Sequence, residues 1–218
     1  MKVLVTDPIA EAGIERIREQ GHEVQKDYNL SGEELLEAVV DANAMIVRSG
    51  TEVTAEVLEA AEEMVIVGRA GIGVDNIDIE AATDNGVIVA NAPEGNVRAA
   101  AEHTVAMAFA TARSIPQAHE RLSEGEWAKG EFLGTEVNDK TLGIVGFGRV
   151  GQEVAKRLSN LGMELIVFDP YISEERADQL GAELVDDLND CLRRADFVTI
   201  HTPLTSETEN MIGAEELA

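Results

Sequence analysis

A glycine-rich turn between two apolar runs, at residues 141–170, constrains the fold of this chain more than any other feature. The run Leu142 to Val145 leads into the turn GFGRVG at residues 146–151, and a helical pattern follows. A second apolar run, Leu165 to Phe168, ends on Asp169. Short apolar runs bounded by glycine are typical of buried strands, whereas the spacing after the turn is typical of a helix. The stretch therefore predicts a strand–turn–helix–strand unit that ends on an acid.

The same turn has the spacing of a dinucleotide-binding site. Gly146 permits a tight turn, Gly148 lets a pyrophosphate approach the backbone, and Gly151 lets the helix lie close to the strand. The helix N-terminus offers free N–H groups and a partial positive charge to phosphates. Asp169 is placed to accept both hydroxyls of an adenosine ribose and disfavours a 2′-phosphate, so we predict NAD rather than NADP. The alternative is a tight strand-to-helix turn that binds no ligand.

Acidic residues dominate the composition, because 42 acids face 17 bases and give a net charge of −25 at pH 7. The acids are spread along the chain rather than gathered in one block. Such a surface repels itself at low ionic strength, and at about 1 M salt the screening length falls to about 3 Å. We therefore predict a salt-loving, halophilic host. The charge argues against nucleic acid and anionic membranes as partners.

The remaining composition points to a cytoplasmic protein. No apolar run reaches the length of about 18 residues that suggests a membrane span. The N-terminus, MKVLVTD, goes straight into a strand pattern without a signal peptide. Cys191 is the only cysteine, so the chain forms no internal disulfide and no cysteine cluster for a metal. We expect Cys191 to be a small buried residue on a helix, and we predict no metal site.

Alternating strands and helices predict the fold class α/β, with two parallel doubly wound domains. The first, at 1–96, is expected to be flavodoxin-like with helices on both faces of its sheet. The second, at 97–218, has strand patterns at 142–145, 165–168 and 197–200, with a short one near 183–185. A doubly wound dinucleotide fold has about six strands. We therefore expect a Rossmann domain that is incomplete at its C-terminus, in the N-terminal part of a longer protein.

Polar groups collect at the carboxyl ends of the first-domain strands, where ligands of such sheets bind. Gly68, Gly71 and Gly73 predict a loop whose N–H groups converge on an anion as a backbone nest. Arg48 and Arg69 stand at neighbouring strand ends, and two arginines beside a nest suit a carboxylate or a phosphate. The alternative is that both arginines merely pair with nearby acids.

The longest helical pattern begins at Asn96 and ends near residue 122, and its middle, AAAEHTVAMAFATA, is apolar nearly all round. A helix that is buried on every side lies inside a large core or between subunits. We therefore predict a homodimer that forms through the helix at 97–122. His103 is expected to be buried and hydrogen-bonded. In the loop that follows, Trp127 and Phe132 are expected to pack against the protein rather than stack on a ligand.

The segment His201-Thr202-Pro203 follows the predicted strand at 197–200. No carboxylate is evidently placed to orient the imidazole as a general base, and Pro203 indicates a rigid loop. For His201 we rank contact with the cofactor first, a structural loop second and catalysis third.

Three segments resemble the D-isomer-specific 2-hydroxyacid dehydrogenases. They are GRAGIGVDNIDIEAATDNGVIVANAPEGNVRAAAEHTVAMAFATAR, GIVGFGRVGQEVAKRLSNLGMELIVFDPY and ADFVTIHTPLTSETENMI, in the order that the family has them. The resemblance covers essentially the whole chain. The segment with Arg48, Ser49 and Thr51 and the loop GRAGIGVDN are most similar to family members that act on 3-phosphoglycerate.

The resemblance implies an enzyme that uses NAD to oxidise the C2 hydroxyl of 3-phospho-D-glycerate to a ketone, on the route to serine. Domain 1–96 would bind this phosphorylated 2-hydroxy acid, and domain 97–218 would bind NAD. The substrate's anionic ends would be held by Arg48, Ser49, the backbone of Gly73 and Val74, and Asn96. The residues implied for the cofactor are Ile72, Gly146, Gly148, Arg149, Val150, Gly151, Asp169, His201, Thr202 and Pro203. Ile72 stands where the family often has threonine, and it cannot donate that hydrogen bond.

The family's chemistry also needs an arginine for the substrate carboxylate and a histidine–glutamate acid–base pair, all downstream of the HTPLT segment. His103 and His201 do not match those positions. We therefore expect the complete protein to be an enzyme and this stretch alone to be inactive. Two alternatives stay open: a glyoxylate or hydroxypyruvate reductase, and a non-catalytic NAD-binding dimeriser.

Overall fold

The computed structural model describes residues 1–217, which divide into two compact units, the first Met1–Asn96 and the second beginning at Val97. Each unit is an α/β structure built on a parallel sheet, as the alternation of strands and helices predicts. None of the helices in residues 1–217 has both the length and the apolar character that crossing a bilayer requires.

The first unit is a five-stranded parallel sheet in the order β2-β1-β3-β4-β5, which is the flavodoxin-like order. Its strands are β1 Lys2–Val5, β2 Glu23–Lys26, β3 Ala44–Val47, β4 Ile66–Arg69 and β5 Ile88–Asn91. Its helices are α1 Glu11–Glu19, α2 Glu33–Val39, α3 Ala55–Ala60 and α4 Ile79–Asp84. Because successive strand residues point to opposite faces, Leu4 packs in one core cluster and Val3 and Val5 pack in another.

The second unit is a four-stranded parallel sheet in the order β8-β7-β6-β9. Its strands are β6 Thr141–Val145, β7 Glu164–Phe168, β8 Ala182–Val185 and β9 Phe197–Ile200. Its helices are α5 Val97–Ala112, α6 Ile115–Ser123, α7 Arg149–Ser159, α8 Glu174–Asp178 and α9 Leu188–Arg194, with a 3₁₀ turn at Lys129–Glu131. Ile144, Phe147 and Leu158 are fully buried in one core. Cys191 is buried as predicted, and burial raises the pKa of its thiol to about 11.

The single helix predicted at 97–122 is wrong, because the structure has two helices there. Ser114 adopts the left-handed conformation, with a φ of 49°, between α5 and α6. Pro116 lies in the first turn of α6. A proline inside a continuous helix would lack its N–H donor and its ring would clash with the carbonyl of Ala112, so the chain breaks and restarts.

Two further expectations for this region are wrong in residues 97–133. His103 is exposed rather than buried. Trp127 is 80% exposed and does not pack into the core of the unit, whereas Phe132 is half-buried. Some apolar side chains of α5 are not buried within the described residues, since Met107 is 52% exposed.

Candidate functional site

The glycine-rich turn joins β6 to α7 in a conformation that only glycine permits at its first position. Gly146 has a φ of 91°, in the left-handed region that side chains rarely adopt. A Cβ on Gly146 would also lie 2.8 Å from the carbonyl carbon of His201 and 2.8 Å from the backbone nitrogen of Thr202. The turn after β6 and the segment after β9 are therefore packed backbone against backbone.

The other two glycines of the turn differ in what surrounds them. A Cβ on Gly151 would collide with the carbonyl oxygen of Gly146, so Gly151 allows α7 to start directly against the turn. A Cβ on Gly148 would meet open space. Gly148 is the N-cap of α7 and no side chain caps the helix, so the N–H groups of its first turn are available to an anion. Arg149 and Val150 lie in that first turn.

Asp169 connects the turn to the end of β7. Its Oδ2 accepts a hydrogen bond from the backbone N–H of Phe147 (2.6 Å), and its Oδ1 accepts one from the N–H of Tyr171 (2.9 Å). The N–H of Gly146 donates to the carbonyl of Phe168 (2.9 Å). The carboxylate is thereby fixed beside the glycine-rich turn, where the sequence places the ribose-binding acid.

A cleft of about 550 Å³ opens beside this carboxylate. The predicted residues that line it are Gly146, Asp169, Thr202 and Pro203. Lining residues that the sequence analysis missed are Phe168, Pro170, Tyr171, Thr205, Ser206, Glu207, Thr208 and Met211. The sequence feature that could have predicted an ordered loop at 205–208 is its pair of threonines, because threonine hydroxyls form hydrogen bonds within local turns. The other predicted cofactor residues of this unit, Gly148, Arg149, Val150, Gly151 and His201, are not among the lining residues. A fixed acid beside a close backbone turn is the arrangement that suits the adenosine end of a dinucleotide.

His201 is half-buried behind the turn, with its ring Nε2 2.9 Å from the Thr199 hydroxyl oxygen. Burial lowers the pKa of its imidazole below the ordinary value. No carboxylate is hydrogen-bonded to this ring among the described residues. Its backbone N–H donates to the carbonyl of Val145 (2.7 Å), which holds the segment against β6. Contact between His201 and a cofactor stays a prediction.

In the first unit, a buried acid organises the loop that carries Arg48. Asp7 follows β1, is only 7% exposed, and uses Oδ2 to accept the N–H groups of Arg48 (2.6 Å) and Thr51 (3.2 Å). The Asn76 side-chain amide donates to the carbonyls of Arg48 (2.7 Å) and Thr51 (2.6 Å). The sequence analysis did not identify either of these supports.

A second cleft, of about 530 Å³, lies at the carboxyl end of this sheet. Arg48 and Asn96 line it together, whereas Ser49, Gly73 and Val74 are not among its lining residues. The other lining residues are Pro8, Ile9, Ala10, Ala70, Gly71, Ala92 and Gly95. Within residues 1–217 the Arg48 guanidinium has no acidic partner and donates only to the carbonyl of Pro8 (3.4 Å). An unpaired guanidinium in so acidic a chain suits an anionic ligand.

Arg69 behaves differently from Arg48. Its Nε donates to Asn76 Oδ1 (3.2 Å) and its Nη2 lies 4.0 Å from Asp75 Oδ1. The alternative of pairing with nearby polar and acidic groups therefore holds for Arg69 and not for Arg48.

The predicted backbone nest is wrong in this loop. Gly68, Gly71 and Gly73 all lack the positive φ that an alternating nest requires, and Gly68 is a residue of β4. A Cβ on Gly71 would collide with the Arg69 guanidinium, and one on Gly73 would lie 2.6 Å from Asp75 Oδ1. Gly71 and Gly73 therefore leave room for the side chains of Arg69 and Asp75. The carbonyl of Ile72, in the same loop, accepts a hydrogen bond from the Asn91 side chain (2.6 Å).

Residues 105–218, more than half of the chain, match the family described as "D-isomer specific 2-hydroxyacid dehydrogenase, NAD binding domain". The chain belongs to the D-isomer-specific 2-hydroxyacid dehydrogenase family. The resemblance and the parallel α/β fold are thereby confirmed.

Relatives within the family carry a more specific name. A D-3-phosphoglycerate dehydrogenase of Methanocaldococcus jannaschii is 50% identical over 218 residues, which is 100% of this chain and 41% of the relative. This chain spans 39% to 41% of the length of three such relatives.

Solved structures of similar proteins agree with the fold. NAD⁺-bound 3-phosphoglycerate dehydrogenase of Entamoeba histolytica matches with a TM-score of 0.81 at 34% identity, covering 100% of this chain and 67% of that one. The TT0316 protein of Thermus thermophilus matches with a TM-score of 0.89 at 33% identity, covering 100% and 70%.

Proposed function

We propose that the complete protein uses NAD to oxidise the C2 hydroxyl of 3-phospho-D-glycerate to 3-phosphohydroxypyruvate. The observation that carries this proposal is Arg48, an exposed cleft residue whose guanidinium has no acidic partner in the described part (1–217) of a chain with 42 acids. The relatives named D-3-phosphoglycerate dehydrogenase support the choice of substrate.

In this proposal the two units bind different molecules. The first unit holds the anionic ends of the substrate through Arg48, Ser49, the backbone of Gly73 and Val74, and Asn96. The second unit holds NAD through Gly146, Gly148, Arg149, Val150, Gly151, Asp169, His201, Thr202 and Pro203. Ile72, which the resemblance also implies for the cofactor, belongs to the first unit. When bound, NAD supplies the hydride acceptor. The groups of this chain bind and orient, while the family resemblance assigns the acid–base pair to positions that follow HTPLT.

A substrate panel tests the proposed activity on protein expressed from its complete reading frame. Formation of NADH with 3-phospho-D-glycerate should greatly exceed that with D-glycerate, because only the phosphorylated acid presents anions at both ends to the cleft. In the reverse direction, 3-phosphohydroxypyruvate should be reduced faster than glyoxylate or hydroxypyruvate. Equal or faster reduction of glyoxylate would favour the reductase alternative, and NAD binding without turnover of any of these would favour the non-catalytic dimeriser.

The proposal includes a cytoplasmic homodimer that forms through the segment predicted at 97–122 and the loop that follows. Large apolar side chains stay exposed along this part of the chain: Met107, Ile115, Leu122, Trp127 and Leu133 are each 52% to 80% exposed. Leu122, Trp127 and Phe132 also line a shallow apolar cleft of about 240 Å³. Exposed apolar surface of this kind marks interaction sites in folded proteins.

A further inference from the structure

The dinucleotide cleft contains a second carboxylate besides Asp169. Glu207 lines the same cleft, on the loop that follows β9. Among the residues that line this cleft there is no lysine and no arginine. A charged group that enters the cleft therefore meets two acids and no compensating cation from its walls.

The two acids are connected across the cleft by one residue. The N–H of Tyr171 donates to Asp169 Oδ1 (2.9 Å), and the Tyr171 hydroxyl donates to Glu207 Oε2 (3.3 Å). The Tyr171 side chain is otherwise open to solvent, with 84% of the residue exposed. The tyrosine thus links the residue at the end of β7 to Glu207 on the loop that follows β9.

The loop that carries Glu207 is itself held in place by two threonines. The N–H of Thr205 donates to the Thr208 hydroxyl (2.9 Å), and the N–H of Thr208 donates to the Thr205 hydroxyl (3.3 Å). The Thr208 hydroxyl donates in turn to the carbonyl of Pro203 (2.5 Å). These bonds hold the loop on both sides of Glu207, so the exposed Glu207 carboxylate is carried on an ordered turn beside the cleft.

We propose that Glu207 is a specificity-determining residue that, together with Asp169, rejects dinucleotides bearing a 2′-phosphate. This inference rests on the proposed NAD site of the second unit. NAD presents two neutral ribose hydroxyls to these acids, whereas NADP presents a phosphate that is close to doubly negative. Repulsion between like charges in a partly enclosed cleft weakens NADP binding and leaves NAD binding almost unchanged.

The test compares the variants E207Q and E209Q, which each remove one negative charge from the same loop. Glu209 is exposed and does not line the cleft, so E209Q is the matched control for overall charge. Dissociation constants for NAD⁺ and NADP⁺ would be measured by isothermal titration on the complete protein at one ionic strength. We expect E207Q to lower the dissociation constant for NADP⁺ about fivefold and to change that for NAD⁺ less than about twofold. E209Q should leave their ratio unchanged, and E207K should favour NADP⁺ further.

Two results would overturn the inference in distinguishable ways. If wild-type protein binds NAD⁺ but E207Q and E209Q have the same ratio of dissociation constants, Glu207 has no role in discrimination. If the folded wild-type protein binds neither dinucleotide, the proposed function itself is wrong, and the role of Glu207 falls with it.

Discussion

Two aspartates, one in each unit, lie beyond the carboxyl end of a strand and hold the backbone of loops proposed to bind ligands. Asp7 follows β1 and accepts the N–H groups of Arg48 and Thr51, while Asp169 follows β7 and accepts those of Phe147 and Tyr171. In each case a carboxylate at a strand end fastens the backbone of the neighbouring loop. If these loops bind ligands as proposed, they are already ordered before binding, which lowers the entropy cost of binding.

Removing the Asp7 carboxylate should destabilise the protein and loosen the loop that carries Arg48. D7A leaves the buried N–H of Thr51 and the partly buried N–H of Arg48 without an acceptor, and one buried group of this kind costs about 1–3 kcal/mol of unfolding free energy. Urea denaturation would measure this loss. The control D7N keeps an oxygen acceptor at nearly the same position and should recover most of the stability. Equal stability of D7A and the wild type would contradict the role assigned to Asp7.

At the residue scale, the sequence alone identifies the glycine-rich turn and Asp169, because a dinucleotide-binding turn requires glycines and a following acid at fixed spacings. It could not separate Arg48 from Arg69, since both follow neighbouring strands and only packing shows that Arg69 turns toward Asn76 and Asp75. In the sequence, Asp7 is recognisable only as a residue that follows a strand pattern. Its function depends on Arg48 and Thr51, residues that the fold brings near it from far along the chain.

At the scale of elements, the segment that follows Asn96 is helical as predicted, but the predicted single helix is two helices in the structure. The sequence shows the apolar character of α5. Proline is tolerated only in the first turn of a helix, so a helix that contains Pro116 has to begin just before it, and the single predicted helix is not compatible with this residue. The result is two helices joined at Ser114. Their exposed apolar side chains, together with Trp127 and Leu133 in the loop beyond, form the surface proposed for dimerisation.

An acidic substitution in this surface should separate the dimer. L122E places a charge in the apolar cleft beside Trp127 and Phe132, where an interface would bury it without a partner. Light scattering after size-exclusion chromatography should show a shift from dimer to monomer. V40E makes the same kind of change at a residue of similar exposure in the first unit and should leave the dimer intact. A wild-type monomer, or an L122E dimer of unchanged strength, would contradict the proposed interface.

At the scale of the whole molecule, the dominant feature is the excess of negative charge. With 42 acids and 17 bases, 42 − 17 = 25 negative charges are not neutralised by lysine or arginine. The ion pairs in residues 1–217 include neighbours on one helix, such as Arg157 with Glu153, and residues far apart in the sequence, such as Lys140 with Asp196. The general fold could be predicted because alternating strand and helix patterns are local, whereas the effect of net charge on stability depends on every acid at once.

Salt should therefore raise the melting temperature. From about 0.1 M to about 2 M potassium chloride, screening removes most repulsion between surface acids, and we expect a rise of more than about 5 °C. Calorimetry or circular dichroism would follow the transition. Chloride is the appropriate anion, because sulfate strengthens apolar burial in proteins generally. A melting temperature that does not increase with potassium chloride would contradict the prediction of a halophilic host.

The most direct test of the central claim is the Michaelis constant of the complete protein for 3-phospho-D-glycerate, with and without the Arg48 guanidinium. R48A should raise this constant about tenfold or more, because a charge-assisted contact to the substrate is lost, and should leave the constant for NAD⁺ unchanged. R16A removes an exposed arginine of the same unit outside the cleft and is the matched control. If R48A and R16A have the same constants as the wild type, Arg48 does not anchor an anionic substrate and the account is contradicted.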